Sequence, residues 1–266
     1  MKSSNAPIGI YDSGMGGLSV RREVCRLLPE ESVIYLGDGK NCPYGSRSVE
    51  EIRYLSVEAV EHLLAMGCKL IVVACNTATA AAIELLRARY PEVPIVGMEP
   101  AVKPACLQTK SRVVGVLATE RSLDGDLFRR TAARYGQDIE VITAPGCGFV
   151  ELVECDKEQS AEAVETVRRA MQPMLDRGAD HIVLGCTHYP FLLEALERAA
   201  EGYGVTFVDP SPAVARRVKQ LLEVNDLLCE AGHSPQHQFV TFADEVYRDR
   251  LEQKAADTME TISRVI

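Results

Sequence analysis

The sequence predicts an α/β fold of two doubly wound, parallel-sheet domains. Three observations carry that expectation. Short apolar, β-branched runs recur along the chain, stretches with helical apolar spacing separate them, and proline-punctuated segments bracket its middle.

The elements follow in chain order. Strand-like runs occupy residues 7–11, 32–37, 70–74 and 94–97, and then 112–117, 139–143, 181–184 and 205–208, with one more at 238–242. Among them, residues 49–66, 77–90, 160–177 and 212–228 show apolar positions at helical steps, as in Ile52, Leu55, Ala59 and Leu63. Strands of four to six residues alternating with helices imply crossover connections, hence parallel sheets with helices on both faces. No Gly/Ser-rich tract divides the chain. Pro100 and Pro104 punctuate 97–104, and 209–212 holds two prolines in three residues. With both as crossings, residues 98–209 form one domain, and 1–97 pairs with 210–266 to form the other.

Composition narrows the function. With 266 residues, 47% hydrophobic and 25% charged, the chain can bury an ordinary core without staples. A net charge of −9 gives a surface with no general attraction for a polyanion, so neither nucleic acid nor an anionic membrane is an expected partner. The polar start runs directly into an apolar stretch at Ile8, with no secretory pattern and no run long enough to span a bilayer. Nine cysteines, none in a C-x-x-C pair, fit neither a metal finger nor a disulfide framework. A cytoplasmic protein with reduced thiols is the expectation. Cys25, Cys68, Cys106, Cys147, Cys155 and Cys229 read as small core hydrophobes, and Cys42, beside Pro43, has no assignment.

Two cysteines stand apart. Leu70-Ile-Val-Val-Ala-Cys-Asn-Thr77 lines up with His181-Ile-Val-Leu-Gly-Cys-Thr-His188. Each copy has four strand-like residues, a small residue, a cysteine and two polar residues, and each is expected to open a helix. Cys75 and Cys186 therefore fall beyond a strand's carboxyl end, where open α/β sheets bind ligands. A thiol near free N–H donors at a helix start is favoured as thiolate. Two such thiols suit a reaction that removes a proton from one face of a carbon and returns one to the other, as inversion at an amino acid's α-carbon requires. The glycine-rich turn Asp12-Ser-Gly-Met-Gly-Gly-Leu-Ser19 also follows a strand. It is neither a P-loop nor a dinucleotide fingerprint, and its amides are read either as an anion cradle or as a tight turn.

Four motifs together resemble the glutamate racemases of the aspartate/glutamate racemase superfamily: Asp12-Ser-Gly-Met-Gly-Gly-Leu-Ser-Val20, Pro43-Tyr-Gly45, Ala74-Cys-Asn-Thr-Ala78 and Gly185-Cys-Thr-His-Tyr-Pro190. The resemblance implies cofactor-independent interconversion of L- and D-glutamate, supplying D-glutamate for peptidoglycan, with no metal and no pyridoxal phosphate. It implies an active site between two α/β domains and a homodimer. Cys75 and Cys186 would be the acid/base pair, with Asp12 supporting the first and His188 the second. Asp12, Ser13, Tyr44, Gly45, Asn76, Thr77, Thr119, Thr187 and His188 would hold the substrate, and Asp38 and Glu154 match two further acidic pocket positions.

The chain departs from the family pattern in places. Gly37-Asp-Gly-Lys-Asn-Cys-Pro-Tyr-Gly45 replaces a common Asp-Thr-Ala-Arg lead-in, Glu151 stands where proline is frequent, and Ser122 replaces a second threonine but keeps its hydroxyl. Taken alone, Asp12, Asn76 and Thr77 also read as helix caps, His188 as a satisfied interface histidine, and Glu154 as part of a solvated acidic run. Two rival functions stand beside the first. One is a related racemase acting on aspartate or a similar acid, and the other is a module that binds an acidic amino acid without turning it over.

Overall fold

The computed structural model describes residues 3–98, 101–136 and 138–262. Its contacts divide it into two compact units, Met1–Met98 with Ser211–Ile266, and Glu99–Pro210. Of the expected crossing at 97–104, Glu99 and Pro100 lie outside the described residues.

The first unit begins β1 (Ile8–Asp12), α1 (Leu18–Leu27), β2 (Val33–Gly37), α2 (Val49–Ala65), β3 (Leu70–Val73), α3 (Asn76–Arg89) and β4 (Ile95–Gly97). The second unit follows with α4 (Val102–Gln108), β5 (Val113–Ala118), α5 (Glu120–Leu123), α6 (Asp126–Tyr135), β6 (Glu140–Pro145), α7 (Phe149–Glu154) and α8 (Ala161–Asp176). It closes with β7 (His181–Gly185), a 3-10 turn at Tyr189–Leu192, α9 (Leu193–Ala199) and β8 (Thr206–Val208). The chain then returns to the first unit as α10 (Ser211–Val224), β9 (His237–Thr241) and α11 (Glu245–Ile262).

Among the described residues the first sheet runs β4-β3-β1-β2-β9 and the second β6-β5-β7-β8, and every pairing in both is parallel. The expected α/β class with two parallel sheets is thus the observed one. Strand edges move by a residue or so. The first strand extends to Asp12 because its pairing with β2 carries on to Gly37. The helix expected over 212–228 stops at Val224, and Asp226 takes a left-handed φ of 53° just beyond it.

Alternation along the strands shows why helices cover both faces. In β5, Val114, Val116 and Ala118 join one core cluster while Leu117 joins another. In β7, Val183 joins the first while Ile182 and Leu184 join the second. The first sheet divides likewise, with Tyr11, Ile34, Leu36, Ile71 and Val73 facing α2 and α3. Central strands buried on both faces give the continuous apolar runs seen in the sequence. Capping fixes the helix starts: Ser48 accepts from the Glu51 amide at 3.2 Å and Ser160 from the Ala163 amide at 3.1 Å.

Each unit has a polar anchor at the amino end of its sheet. In the first, Lys69 Nζ pairs with Glu31 Oε2 at 2.6 Å with both side chains buried, and Glu31 Oε1 accepts from the Cys229 amide at 2.9 Å. In the second, Asp180 accepts from Thr109 Oγ1 at 2.6 Å, from the amides of Lys110 and Ser111 at 2.7 and 2.9 Å, and meets His181 Nδ1 at 2.9 Å. Burial works against the Asp180 carboxylate, but these partners outweigh it and hold the carboxyl well below the usual range.

The cysteines depart from expectation. All nine are free, but Cys147 and Cys155 are exposed and Cys229 is half-buried, so the core reading holds only for Cys25, Cys68 and Cys106. Cys147 and Cys155 sit on exposed turns at the two ends of α7. Among the described residues, no helix is long and apolar enough to cross a membrane.

Candidate active site

In the first unit the predicted residues collect past the carboxyl ends of three adjacent strands. Asp12 ends β1, Asp38 follows β2, and Cys75 follows β3. The Asp38 amide bonds to the Asp12 carbonyl at 3.0 Å and the Ala74 amide to the Tyr11 carbonyl at 2.8 Å, so the ladder continues into both loops.

The glycine-rich turn is filled by the chain itself. The buried Asp12 carboxylate accepts from the amides of Gly14 at 3.2 Å and Gly17 at 3.1 Å. Of the two readings left open, this one is a closed turn rather than a vacant anion cradle. Glycine is needed at 17, since a Cβ there would lie 2.6 Å from the Asp12 Cβ. Residue 17 also caps α1 without a side-chain bond, so Asp12 serves the turn and the helix start together.

Cys75 is the N-cap of α3. Its Sγ accepts from the Ala78 amide at 3.4 Å and lies 3.4 Å from Ser13 Oγ. That matches the helix-start setting expected for this thiol. Asn76 is 6% exposed, and its Oδ1 is buried with no hydrogen-bond partner among the described residues. A buried unpartnered amide oxygen is costly, by about 1–3 kcal/mol, unless a ligand donor supplies the missing bond. Thr77 is buried beside it.

Asp38 has a defined local role. Its two oxygens accept from Asn41 Nδ2, each at 3.0 Å, and Oδ2 accepts from the Tyr44 hydroxyl at 2.7 Å. Tyr44 in turn accepts from the Tyr11 hydroxyl at 2.9 Å, and the peptide joining Cys42 to Pro43 is cis. Burial pushes both phenols well above their ordinary value, so each keeps its proton and can donate. Asp38 therefore fixes Tyr44, and Gly45 follows half-buried. Tyr11 and Asn41 escaped the sequence reading. The first looks like any apolar strand residue, and the second lies in a segment where the chain leaves the family pattern.

In the second unit the ends of β5 and β7 are paired at Ala118 and Gly185, which sets Thr119 beside Cys186 along one sheet edge. Thr119 caps α5, accepting from the Ser122 amide at 3.2 Å, and its hydroxyl meets Ser122 Oγ at 2.8 Å. The serine thus occupies the place of the second threonine with its hydroxyl in use. Cys186 lies 3.8 Å, Sγ to Nδ1, from the buried His188, and His188 Nε2 lies 2.7 Å from Glu154 Oε1. Glu154, at the end of α7, is largely buried against this histidine and is not part of a solvated acidic run. Thr187 is buried between the two.

The two junctions are not copies. Cys75 caps a helix, whereas Cys186 precedes a 3-10 turn containing Pro190, and its carbonyl accepts from the Tyr189 amide at 3.1 Å. The second thiol has a histidine where the first has a helix amide and a serine.

Two parallel-sheet α/β units, each carrying a cysteine with polar partners past an interior strand, define the architecture of a two-unit amino-acid racemase. The chain belongs to the Asp/Glu/hydantoin racemase family, whose model matches residues 18–218, and is an isomerase by that membership. A glutamate racemase of Ectopseudomonas mendocina is 49% identical over 228 residues, covering 86% of each chain. The crystal structure of a Bacillus anthracis glutamate racemase has a TM-score of 0.86 at 30% identity and covers 96% of this chain and 95% of that one. An Escherichia coli glutamate racemase, solved with L-glutamate and the activator UDP-MurNAc-ala, gives 0.83 at 30% identity over 95% of both chains.

Proposed function

We propose that this protein interconverts L- and D-glutamate by two-base proton transfer, with Cys75 and Cys186 addressing opposite faces of the α-carbon. The observation that carries this reading is the pair of buried thiols, each past an interior strand of its own α/β unit and each with its own polar partners. One thiolate removes the α-proton, the other thiol delivers a proton from the far side, and the roles exchange with direction. No cofactor enters these steps. General acid–base assistance of this kind contributes about 10²–10⁴-fold per group.

The remaining residues take supporting roles. Asp12 shapes the loop that carries Ser13 to Cys75, and His188, held by Glu154, orients and relays protons for Cys186. Tyr44, Gly45, Asn76, Thr77, Thr119 and Thr187 bind the substrate's carboxylates and ammonium, with the orphaned Asn76 oxygen suited to the ammonium. Asp38 fixes Tyr44. Glutamate as substrate follows from the relatives, and the D-glutamate formed would serve cell-wall synthesis.

Proton NMR of the purified protein with L-glutamate in deuterated water tests the reading. Loss of the α-proton signal with optical inversion, and no added cofactor, is the expected result. Exchange of aspartate in place of glutamate would move the substrate to the shorter acid. No exchange of either would leave a binding module.

A further inference from the structure

Thr79 lies in the first turns of α3, buried, and its hydroxyl occupies a place where a backbone bond is expected. Strands β3 and β4 pair in the register Ile71↔Ile95, Val72↔Val96 and Val73↔Gly97, with the Ile71 amide on the Pro94 carbonyl at 3.0 Å. A parallel ladder in this register continues with the Met98 amide on the Val73 carbonyl. Instead, the Met98 amide donates to Thr79 Oγ1 at 3.0 Å, and Thr79 Oγ1 donates to the Val73 carbonyl, also at 3.0 Å. The hydroxyl is inserted into the last rung. Glycine at 97 admits it, since a Cβ there would sit 2.8 Å from Thr79 Cγ2.

Satisfying the two backbone groups does not require a side chain, because a direct bond would pair them. What the insertion adds is a tie from the strand ends to α3. The Thr79 amide bonds to the Cys75 carbonyl at 2.8 Å, and the neighbouring Ala78 amide donates to Cys75 Sγ at 3.4 Å. On the β1 side, the Ala74 amide bonds to the Tyr11 carbonyl at 2.8 Å. The bend from β3 into α3 is therefore held on both flanks, and Thr79 alone grips both of its arms. The second junction has no such tie. In the aligned motifs Thr79 falls opposite Pro190, which carries no hydroxyl.

We propose that Thr79 is a positioning residue for Cys75, its hydroxyl fixing the strand-to-helix bend on which that thiol rides. With the tie in place, α3 keeps the Ala78 amide on Sγ, where it favours the thiolate. Without it, strand end and helix shift independently, and the amide moves off the sulfur. This deepens the two-thiol reading and rests on it for its role in turnover.

The test compares Thr79→Val, Thr79→Ala and Thr79→Ser by the pH dependence of iodoacetamide alkylation, followed on the Cys75 and Cys186 peptides by mass spectrometry. Valine keeps the shape and removes the hydroxyl. Alanine leaves room for a water to join Val73 to Met98, but that water has no bond to α3. In both variants the Cys75 midpoint is expected to rise by about one pH unit while the Cys186 midpoint stays put. Thr79→Ser should match wild type. An unchanged Cys75 midpoint in the alanine variant overturns the proposal, because a water would then serve as well as the tie. Equal shifts at both thiols overturn it too, since they would mean general loosening. So does a serine variant that shifts as far as valine, which would assign the effect to the methyl group. Should the valine variant not fold, the alanine and serine variants decide. Alkylation needs no turnover, so a Cys75 shift in a protein that fails to racemise glutamate would sink the functional reading and leave the Thr79 tie standing.

Discussion

At the scale of single residues, the two thiols are equipped differently, and that difference has consequences. Cys75 relies on a helix-end amide and Ser13, whereas Cys186 relies on His188 and, through it, Glu154. Replacing Glu154 with glutamine removes the charge that supports a protonated imidazole. We expect kcat to fall about 10²-fold and KM to change little. Steady-state rates from pH 6 to 9 would show this, and a larger effect on KM than on kcat would place Glu154 among the substrate contacts instead. Asp38→Asn should act in the opposite sense, raising KM by freeing Tyr44. Most of these residues were legible in the sequence because the motifs name them. The identity of their partners was not. Nothing in a linear pattern shows that Asp12 fills its own glycine turn, that Asp38 holds Tyr44, or that Glu154 folds back 34 residues to meet His188.

At the scale of elements, strands and helices were readable because burial imposes its period on the residues. The 3-10 turn after Cys186 was not, since Tyr189-Pro-Phe-Leu192 also fits the first turn of an ordinary helix. Nor was the exposure of Cys147 and Cys155 visible, because a cysteine is compatible with either setting. The anchors at the amino ends of the sheets were equally hidden, and they carry stability. Asp180 joins the loop before β5 to the start of β7, so Asp180→Asn should cost about 2 kcal/mol in urea unfolding at pH 7. The folded-state carboxyl titrates below its unfolded value, so its contribution is complete above that value and is lost as pH falls. The gap between wild type and variant should hold steady from pH 8 to 5 and shrink below roughly pH 4. A gap that widened with acid would contradict the assignment. In the other unit, Lys69→Met leaves the Glu31 carboxylate buried without its cation, and a loss of about 3–5 kcal/mol is expected from the same experiment. A loss below about 1 kcal/mol would mean that the pair is not buried in solution.

At the scale of the whole molecule, the chain repeats one idea twice, a parallel sheet that presents a thiol beyond its carboxyl edge. The surrounding elements differ, and the partners of each thiol differ, but the position is shared. That repetition was visible as eight aligned residues, and it is the feature from which the two-base account grows. The most direct test follows each enantiomer of glutamate separately in deuterated water with Cys75→Ser and with Cys186→Ser. The account predicts that racemisation falls by about 10²–10⁴-fold in both variants. It also predicts that each variant still exchanges the α-proton of one enantiomer only, and that the two variants select opposite enantiomers. Wild-type racemisation in either variant, or the same enantiomer exchanging in both, would contradict it.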